Sequence, residues 1–153
     1  MSKAVGGLRA FELALTTWAD WLEFNVDRAR TRFFFMSMSP THIGSGRDND
    51  HGCYNETEPL AAADIGRGDH GLSPAFARTL EERVRRLGAR GVAVRVVNVT
   101  GMSEWRRDAH PSVHRRQWGP PVEERRRWAD CIHWCLPGLP DVWNQLLYAH
   151  IVE

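Results

Sequence analysis

The chain has 153 residues, a length that is usual for one domain with a buried core. Apolar residues make up 42% of it and charged residues 25%, which excludes an intrinsically disordered chain. The net charge of only +1 gives no global attraction to nucleic acid, so nucleic acid is not expected as a partner.

The first half of the chain predicts one helix, one strand and one long loop. Residues 31–38 form a short apolar run that ends at a Ser-Pro turn and predict a buried strand. Residues 39–73 are rich in Gly, Asp, Asn and Pro and predict a loop. Residues 8–24 predict a helix, because apolar side chains recur every three or four residues at Leu8, Phe11, Leu15, Trp18 and Leu22.

The middle of the chain predicts a second helix followed by a second strand. Ser73 and Pro74 are typical of a helix start, and Gly88 or Gly91 is expected to end the helix. Residues 92–99 (VAVRVVNV) predict the strand. The buried stripe of the helix is expected to consist of Phe76, Leu80, Val84 and Leu87.

The remainder predicts a short helix around Met102–Arg107, an irregular stretch over 108–137 and a last helix over 140–151. Helices and strands therefore alternate, which predicts an α/β fold with a parallel sheet. Two strands make a poor sheet, and both are apolar enough to be central. We therefore expect either an oligomer or, preferably, a part of a larger α/β domain.

Two signals for membranes are missing from the sequence. No apolar run is long enough to span a bilayer, and residues 1–7 lack the apolar segment of a signal peptide. Taken by themselves, these features predict a cytosolic protein.

The densest group of chemically active side chains lies just before the last helix. Asp130 and His133 stand three residues apart in a loop, where both can face one cleft. His is the natural base near neutral pH, and an Asp can hold its tautomer and stabilise its protonated form. The pair predicts an acid–base site, and a structural His in a surface loop is the plain alternative.

The three cysteines allow two interpretations. Cys131 and Cys135 have the spacing of half a structural zinc site, with His133 between them. His51, Cys53 and His150 could join them, but no clean second ligand pair follows. A disulfide between Cys53 and the 131–135 loop is favoured, because it would restrict the long loop over residues 39–73. One of the three cysteines would then stay unpaired within this chain. We therefore expect no bound metal.

Asn55 and Asn98 each begin an Asn-x-Thr acceptor pattern for N-glycosylation. Such short patterns often occur by chance. The alternative is therefore that the three cysteines are free thiols and that neither asparagine carries a glycan. Together with a disulfide, however, they favour an oxidising, extracytosolic compartment.

Two more histidines, His42 and His110, stand beside turns after a strand or a short helix. Ser39 with His42 is a candidate pair of nucleophile and base. No glycine elbow surrounds this serine, which argues against that pairing.

Together these segments resemble the C-terminal part of the plant trichome birefringence-like (PC-esterase) family, which includes xylan O-acetyltransferases. The resemblance covers nearly all of residues 1–153, as a portion of one catalytic domain. It is carried by residues 10–12 with Trp18 and Trp21, by 34–42, 53–57 and 107–112, and above all by 130–144 (DCIHWCLPGLPDVWN).

The resemblance implies an incomplete three-layer α/β/α fold like that of Gly-Asp-Ser (SGNH-like) hydrolases. It implies a Ser-His-Asp acyl-enzyme mechanism, in which Asp130 and His133 match the family's Asp-x-x-His and the serine belongs to a Gly-Asp-Ser motif. It also implies acetyl transfer, from a donor such as acetyl-CoA, to hydroxyls of a cell-wall polysaccharide such as xylan, with no bound cofactor. Members are type II membrane proteins of the Golgi, with an N-terminal anchor and the enzyme in the lumen.

The chain departs from this family pattern, because Gly68 and Asp69 are followed by His70 and no Gly-Asp-Ser occurs. The anchor and the first strands are also not found in it. We therefore expect a truncated or degenerate copy that does not form an acyl-enzyme by itself. The alternatives are a non-catalytic polysaccharide-binding remnant and a polysaccharide acetyl esterase.

Overall fold

The computed structural model describes residues 3–44, 51–61, 74–114, 121 and 124–153. A 3₁₀ turn, Arg107–Ala109, precedes the stretch that carries the Asp-x-x-His motif. The helices and strands of the described residues are α1 (Lys3–Asn25), β1 (Phe33–Met36), α2 (Pro74–Ala89), β2 (Val94–Val97), α3 (Thr100–Glu104), α4 (Arg125–Trp128) and α5 (Leu139–Val152). The predicted alternation of helices and strands is confirmed, whereas the three-layer arrangement stays a prediction.

The chain divides into two compact units, one formed by residues 1–35 with 72–96 and the other by 36–71 with 97–153. In the first unit α1 packs against α2. Its core consists of Ala19, Leu22, Leu87 and Val92, with Trp18, Val26, Phe33 and Val94 packed around it. The predicted apolar stripes of the two helices supply Trp18, Leu22 and Leu87 to this core, and burying apolar side chains stabilises the unit.

The strands are shorter than the sequence predicts. Strands β1 and β2 pair side by side in a small parallel sheet, each with four residues rather than eight. The strand predicted within residues 31–38 is formed, but the prediction that it is buried is wrong, because β1 is only half-buried and Met36 is exposed. Within the described residues each strand has a single hydrogen-bonded neighbour.

In the second unit a small hydrogen-bond network fixes the start of α3, which begins two residues earlier than predicted. The Ser37 hydroxyl accepts the backbone N–H groups of Val99 (2.9 Å) and Thr100 (3.1 Å), donors that a helix start leaves unpaired. The buried Ser103 hydroxyl donates to the Val99 carbonyl (2.6 Å) and accepts the indole N–H of Trp143 (3.0 Å). Helix α5 is thereby attached to α3.

Residues 108–137, predicted to be irregular, contain the end of the 3₁₀ turn and helix α4. Helix α5 begins one residue earlier than predicted, where the Asp141 carboxylate accepts the Gly138 N–H at 2.7 Å. Ser73, the predicted cap of α2, and His70 lie outside the described residues. None of the helices described here combines the length and the apolar character needed to cross a bilayer.

Candidate active site

The loop that carries Asp130 is held by backbone hydrogen bonds on two sides. Ser112 and Asp130 form an isolated antiparallel bridge, with N–H···O=C distances of 3.1 and 2.9 Å. At the other end of the loop the N–H of Cys135 donates to the carbonyl of Ala109 at 3.0 Å. The backbone between residues 130 and 135 is therefore fixed at both ends.

A disulfide between Cys53 and Cys131 attaches this loop to a distant part of the chain. Its two cysteines are 78 residues apart in sequence. The Cys53 N–H donates to the Cys131 sulfur at 3.1 Å, and the His42 N–H donates to the Cys131 carbonyl at 2.9 Å. Cys135 is the free cysteine of the described residues.

Gly52, which precedes Cys53, is required by the close approach of the backbone at this point. Its φ of +61° lies in the left-handed region, and an added Cβ would lie 2.6 Å from both Gly44 N and His42 O. A side chain here would push the segment away from Cys131.

The described residues contain no group of three side chains arranged to hold a metal ion. Cys131 in addition has its sulfur committed to the disulfide. The zinc interpretation therefore lacks one of the two ligands that suggested it.

Replacing Cys53 by serine is expected to lower the free energy of unfolding by about 2–4 kcal/mol, because the reduced chain regains the entropy of an open loop. Chemical denaturation without reductant, followed by far-UV circular dichroism, measures this loss. Cys135→Ser is the matched control, since it removes a thiol and leaves the cross-link in place. Equal stability of the two variants would show that the cross-link contributes nothing.

Asp130 and His133 come together as the sequence predicts. The imidazole Nδ1 of His133 lies 2.9 Å from Oδ2 and 3.1 Å from Oδ1 of Asp130. Asp130 Oδ1 also accepts the backbone N–H groups of Ile132 and His133, both at 3.1 Å. The carboxylate is thus oriented by its own loop before it meets the imidazole.

Burial differs sharply between the two side chains. Asp130 is 8% exposed, whereas the His133 side chain is 77% exposed. Among the described residues Nε2 of His133 has no hydrogen-bond partner. A buried carboxylate that accepts Nδ1–H leaves Nε2 with a free lone pair, which is the state a general base requires.

Two buried histidines lie behind the dyad that Asp130 and His133 form. His42 is fully buried and His110 is 4% exposed. Nδ1 of His42 lies 2.7 Å from Nε2 of His110, and Nδ1 of His110 lies 2.6 Å from the His133 carbonyl oxygen. The other nitrogen of His42, Nε2, lies 3.1 Å from the carbonyl oxygen of Glu104.

Burial lowers the pKa of His110, because a charged ring loses its hydration there. Three neighbours act in the opposite direction and raise this pKa: the carbonyl of His133 and the carboxylates of Asp130 and Asp108.

Trp134 covers this histidine pair. Its ring lies 4.0 Å from that of His110 at an interplanar angle of 31°, and its indole N–H donates to the Ser39 hydroxyl at 3.1 Å. The alternative that pairs Ser39 with His42 is not formed, because both ring nitrogens of the buried His42 face other groups. Ser39 positions a tryptophan in this structure.

The sequence alone does not reveal that His42 and His110 meet. They are 68 residues apart, and their one common signal is that each sits at a turn that follows a strand or short helix. Asn55 and Asn98 of the glycosylation patterns are both exposed. That glycans are attached to them stays a prediction.

The chain is similar to one protein family and to several plant proteins. Residues 1–150 match the family described as PC-Esterase, the GDSL/SGNH-like Acyl-Esterase family found in Pmr5 and Cas1p. Xylan O-acetyltransferase 14 of Oryza sativa subsp. japonica is 61% identical over an alignment of 166 positions, which covers 100% of this chain and 35% of that protein. Protein trichome birefringence-like 34 of Arabidopsis thaliana is 42% identical, over 99% of this chain and 38% of its own length.

Xylan O-acetyltransferase 13 of rice is 39% identical, over 94% of this chain and 30% of its own length. The chain thus spans about a third of the length of these relatives. The resemblance found in the sequence is confirmed. Since one family model accounts for residues 1–150, the chain belongs to the PC-esterase family.

Proposed function

We propose that this chain supplies the base and the orienting carboxylate of a polysaccharide O-acetyltransferase, with His133 as the base and Asp130 as its partner. The observation that carries the proposal is the buried Asp130 carboxylate on Nδ1 of an imidazole whose Nε2 is open. Xylan is the proposed acceptor, because two of the similar proteins are named xylan O-acetyltransferases.

In the proposed first step a serine hydroxyl attacks the acetyl carbonyl of the donor. Nε2 of His133 takes the hydroxyl proton, and Asp130 stabilises the imidazolium through Nδ1–H. The tetrahedral intermediate then expels the donor's leaving group, which takes the proton from Nε2, and acetyl-serine remains. The serine is assigned to a Gly-Asp-Ser segment that is not among the 153 residues.

In the proposed second step a sugar hydroxyl attacks the acetyl-serine. His133 takes the proton of the sugar hydroxyl and returns it to the serine oxygen as the new ester forms. A water molecule in place of the sugar would give acetate, which is the reaction of an esterase. The exposed imidazole makes this the second candidate, because 77% of the His133 side chain is accessible to solvent among the described residues.

The proposed setting is the Golgi lumen, with the enzyme held there by an N-terminal anchor outside these residues. The Cys53–Cys131 disulfide supports this, since disulfides persist in oxidising compartments. The exposed Asn55 and Asn98 are proposed glycan sites there. The proposed donor is an activated acetyl group such as acetyl-CoA, used as a co-substrate.

The proposal is tested by a chimera. In rice xylan O-acetyltransferase 14, the 35% of the chain that matches this sequence is replaced by residues 1–153. The purified chimera is incubated with an acetyl donor and xylo-oligosaccharides, and mass spectrometry counts the acetyl groups transferred. We expect acetyl transfer at a rate comparable to that of the rice enzyme, because the inserted residues 1–153 contain both Asp130 and His133.

The unaltered rice enzyme and the isolated 153-residue chain are the matched controls, and the isolated chain is expected to be inactive. A folded chimera that binds xylo-oligosaccharides without acetylating them would contradict the proposal and favour a polysaccharide-binding remnant. Release of free acetate in place of transfer would favour the esterase.

A further inference from the structure

Three polar contacts run through the buried histidine pair behind the dyad. They join Glu104 O to His42 Nε2 (3.1 Å), His42 Nδ1 to His110 Nε2 (2.7 Å), and His110 Nδ1 to His133 O (2.6 Å). Both outer contacts end on carbonyl oxygens, which only accept hydrogen bonds. Each outer nitrogen must therefore carry a proton if its contact is a hydrogen bond.

Counting protons then identifies the charge of the pair. A neutral imidazole carries one N–H, so two neutral rings supply two protons for three contacts. With both protons on the outer nitrogens, Nδ1 of His42 and Nε2 of His110 would present facing lone pairs at 2.7 Å, which is repulsive. A third proton between them turns this contact into a short, charge-assisted hydrogen bond.

Burial lowers the pKa of His110 on balance, so the third proton rests on the geometry of the three contacts, and some neighbouring groups support it. The carboxylates of Asp130 and Asp108 both favour the charged form of His110, as does its hydrogen bond to the His133 carbonyl. The Trp134 ring lies 4.0 Å from the His110 ring, a distance at which an indole attracts a cation. Burial and any charge on His133 oppose protonation, and the proton belongs to the pair rather than to either ring.

We infer that His42 and His110 share one positive charge at neutral pH and act as positioning residues, which hold the main-chain carbonyl of His133 and so fix the imidazole on Asp130. His110 makes the contact, and His42 fixes the ring of His110. The inference rests on the proposed function only in that His133 is taken as the base. The proton count and the positioning can be measured without any catalysis.

The proton count is measured on the 153-residue chain with ¹⁵N-labelled histidine. Two-bond ¹H–¹⁵N correlation spectra distinguish protonated from unprotonated ring nitrogens. Near pH 7 we expect three of the four nitrogens of His42 and His110 to be protonated, with one strongly deshielded proton correlated to both rings. Two neutral rings with one N–H each would overturn the shared charge.

The positioning is measured on the same chain through the Nδ1–H signal of His133, which is slow to exchange while it is bound to Asp130. His110→Ala is expected to broaden or abolish this signal. His110→Asn is expected to restore it, because the Asn amide nitrogen takes the place of Nδ1 and can donate to the His133 carbonyl. A signal unchanged in His110→Ala, or lost equally in both variants, would overturn the positioning role.

The kinetic counterpart uses the chimera with xylo-oligosaccharides. His110→Ala is expected to lower kcat about 10²-fold with little change in KM, the effect of a misplaced reacting group. His110→Asn is expected to recover most of this loss, and equal kcat in His110→Ala and the unaltered chimera would contradict the role. If the unaltered chimera is itself inactive, the proposed function fails, and the spectra still decide the proton count and the positioning.

Discussion

His133→Ala in the chimera is expected to lower kcat for acetyl transfer by about four orders of magnitude or more. Without the imidazole no group at this position takes the proton of the attacking hydroxyl, so neither the acetylation of the serine nor the transfer to the sugar is assisted. KM for the xylo-oligosaccharide is expected to change little, because the imidazole takes the proton only in the transition state and does not contribute to binding of the substrate. Steady-state kinetics with a mass-spectrometric count of acetyl groups measures both constants.

The matched control is His114→Ala, which removes an exposed imidazole from the same unit of the chain without touching the dyad. It is expected to leave kcat within experimental error of the unaltered chimera. Undiminished transfer by His133→Ala would remove the role of this residue as the base.

Asp130→Asn is expected to lower kcat by about 10⁴-fold while leaving the fold intact. The reason lies in the backbone. The N–H groups of Ile132 and His133 both donate to Oδ1, so the amide oxygen of an asparagine must take that position. The amide NH₂ then replaces Oδ2, which lies 2.9 Å from Nδ1 of His133.

An NH₂ group in that place donates to Nδ1 and forces the imidazole proton onto Nε2. The ring then cannot accept a proton at the nitrogen that faces the reaction. The change of tautomer is visible in the ¹⁵N shifts of His133 in the isolated chain, independently of activity. If Asp130→Asn kept the proton on Nδ1 of His133 and kept full activity, Asp130 would not be the group that decides which ring nitrogen carries the proton.

The sequence predicts the dyad well because its two members are close in sequence. Asp130 and His133 lie three residues apart in one loop, so local backbone geometry alone brings them together. Helices α1 and α2 are predicted for a similar reason, since their apolar stripes repeat with the period of the helix.

The supporting contacts depend on distant parts of the chain, and the sequence cannot show which of them meet. His42 and His110 pair across 68 residues, and the partner of Cys53 lies 78 residues away. The sequence overestimates the lengths of β1 and β2, because the apolar runs are longer than the four residues over which the two strands pair. In β1 the hydrophobicity of residues 31–38 says nothing about whether both faces are covered.

The openness of the His133 ring has a consequence for the competition between sugar and water. If His133 acts as the proposed base, an exposed ring activates any hydroxyl that reaches it, and water is far more abundant than a carbohydrate. On the same loop Ile132 and Leu136 are apolar and 51% and 77% exposed. A surface that covered these two side chains would also shield the proposed acetyl-serine from water. Polar substitutions of Ile132 and Leu136 are therefore expected to change the ratio of ester formed to acetate released.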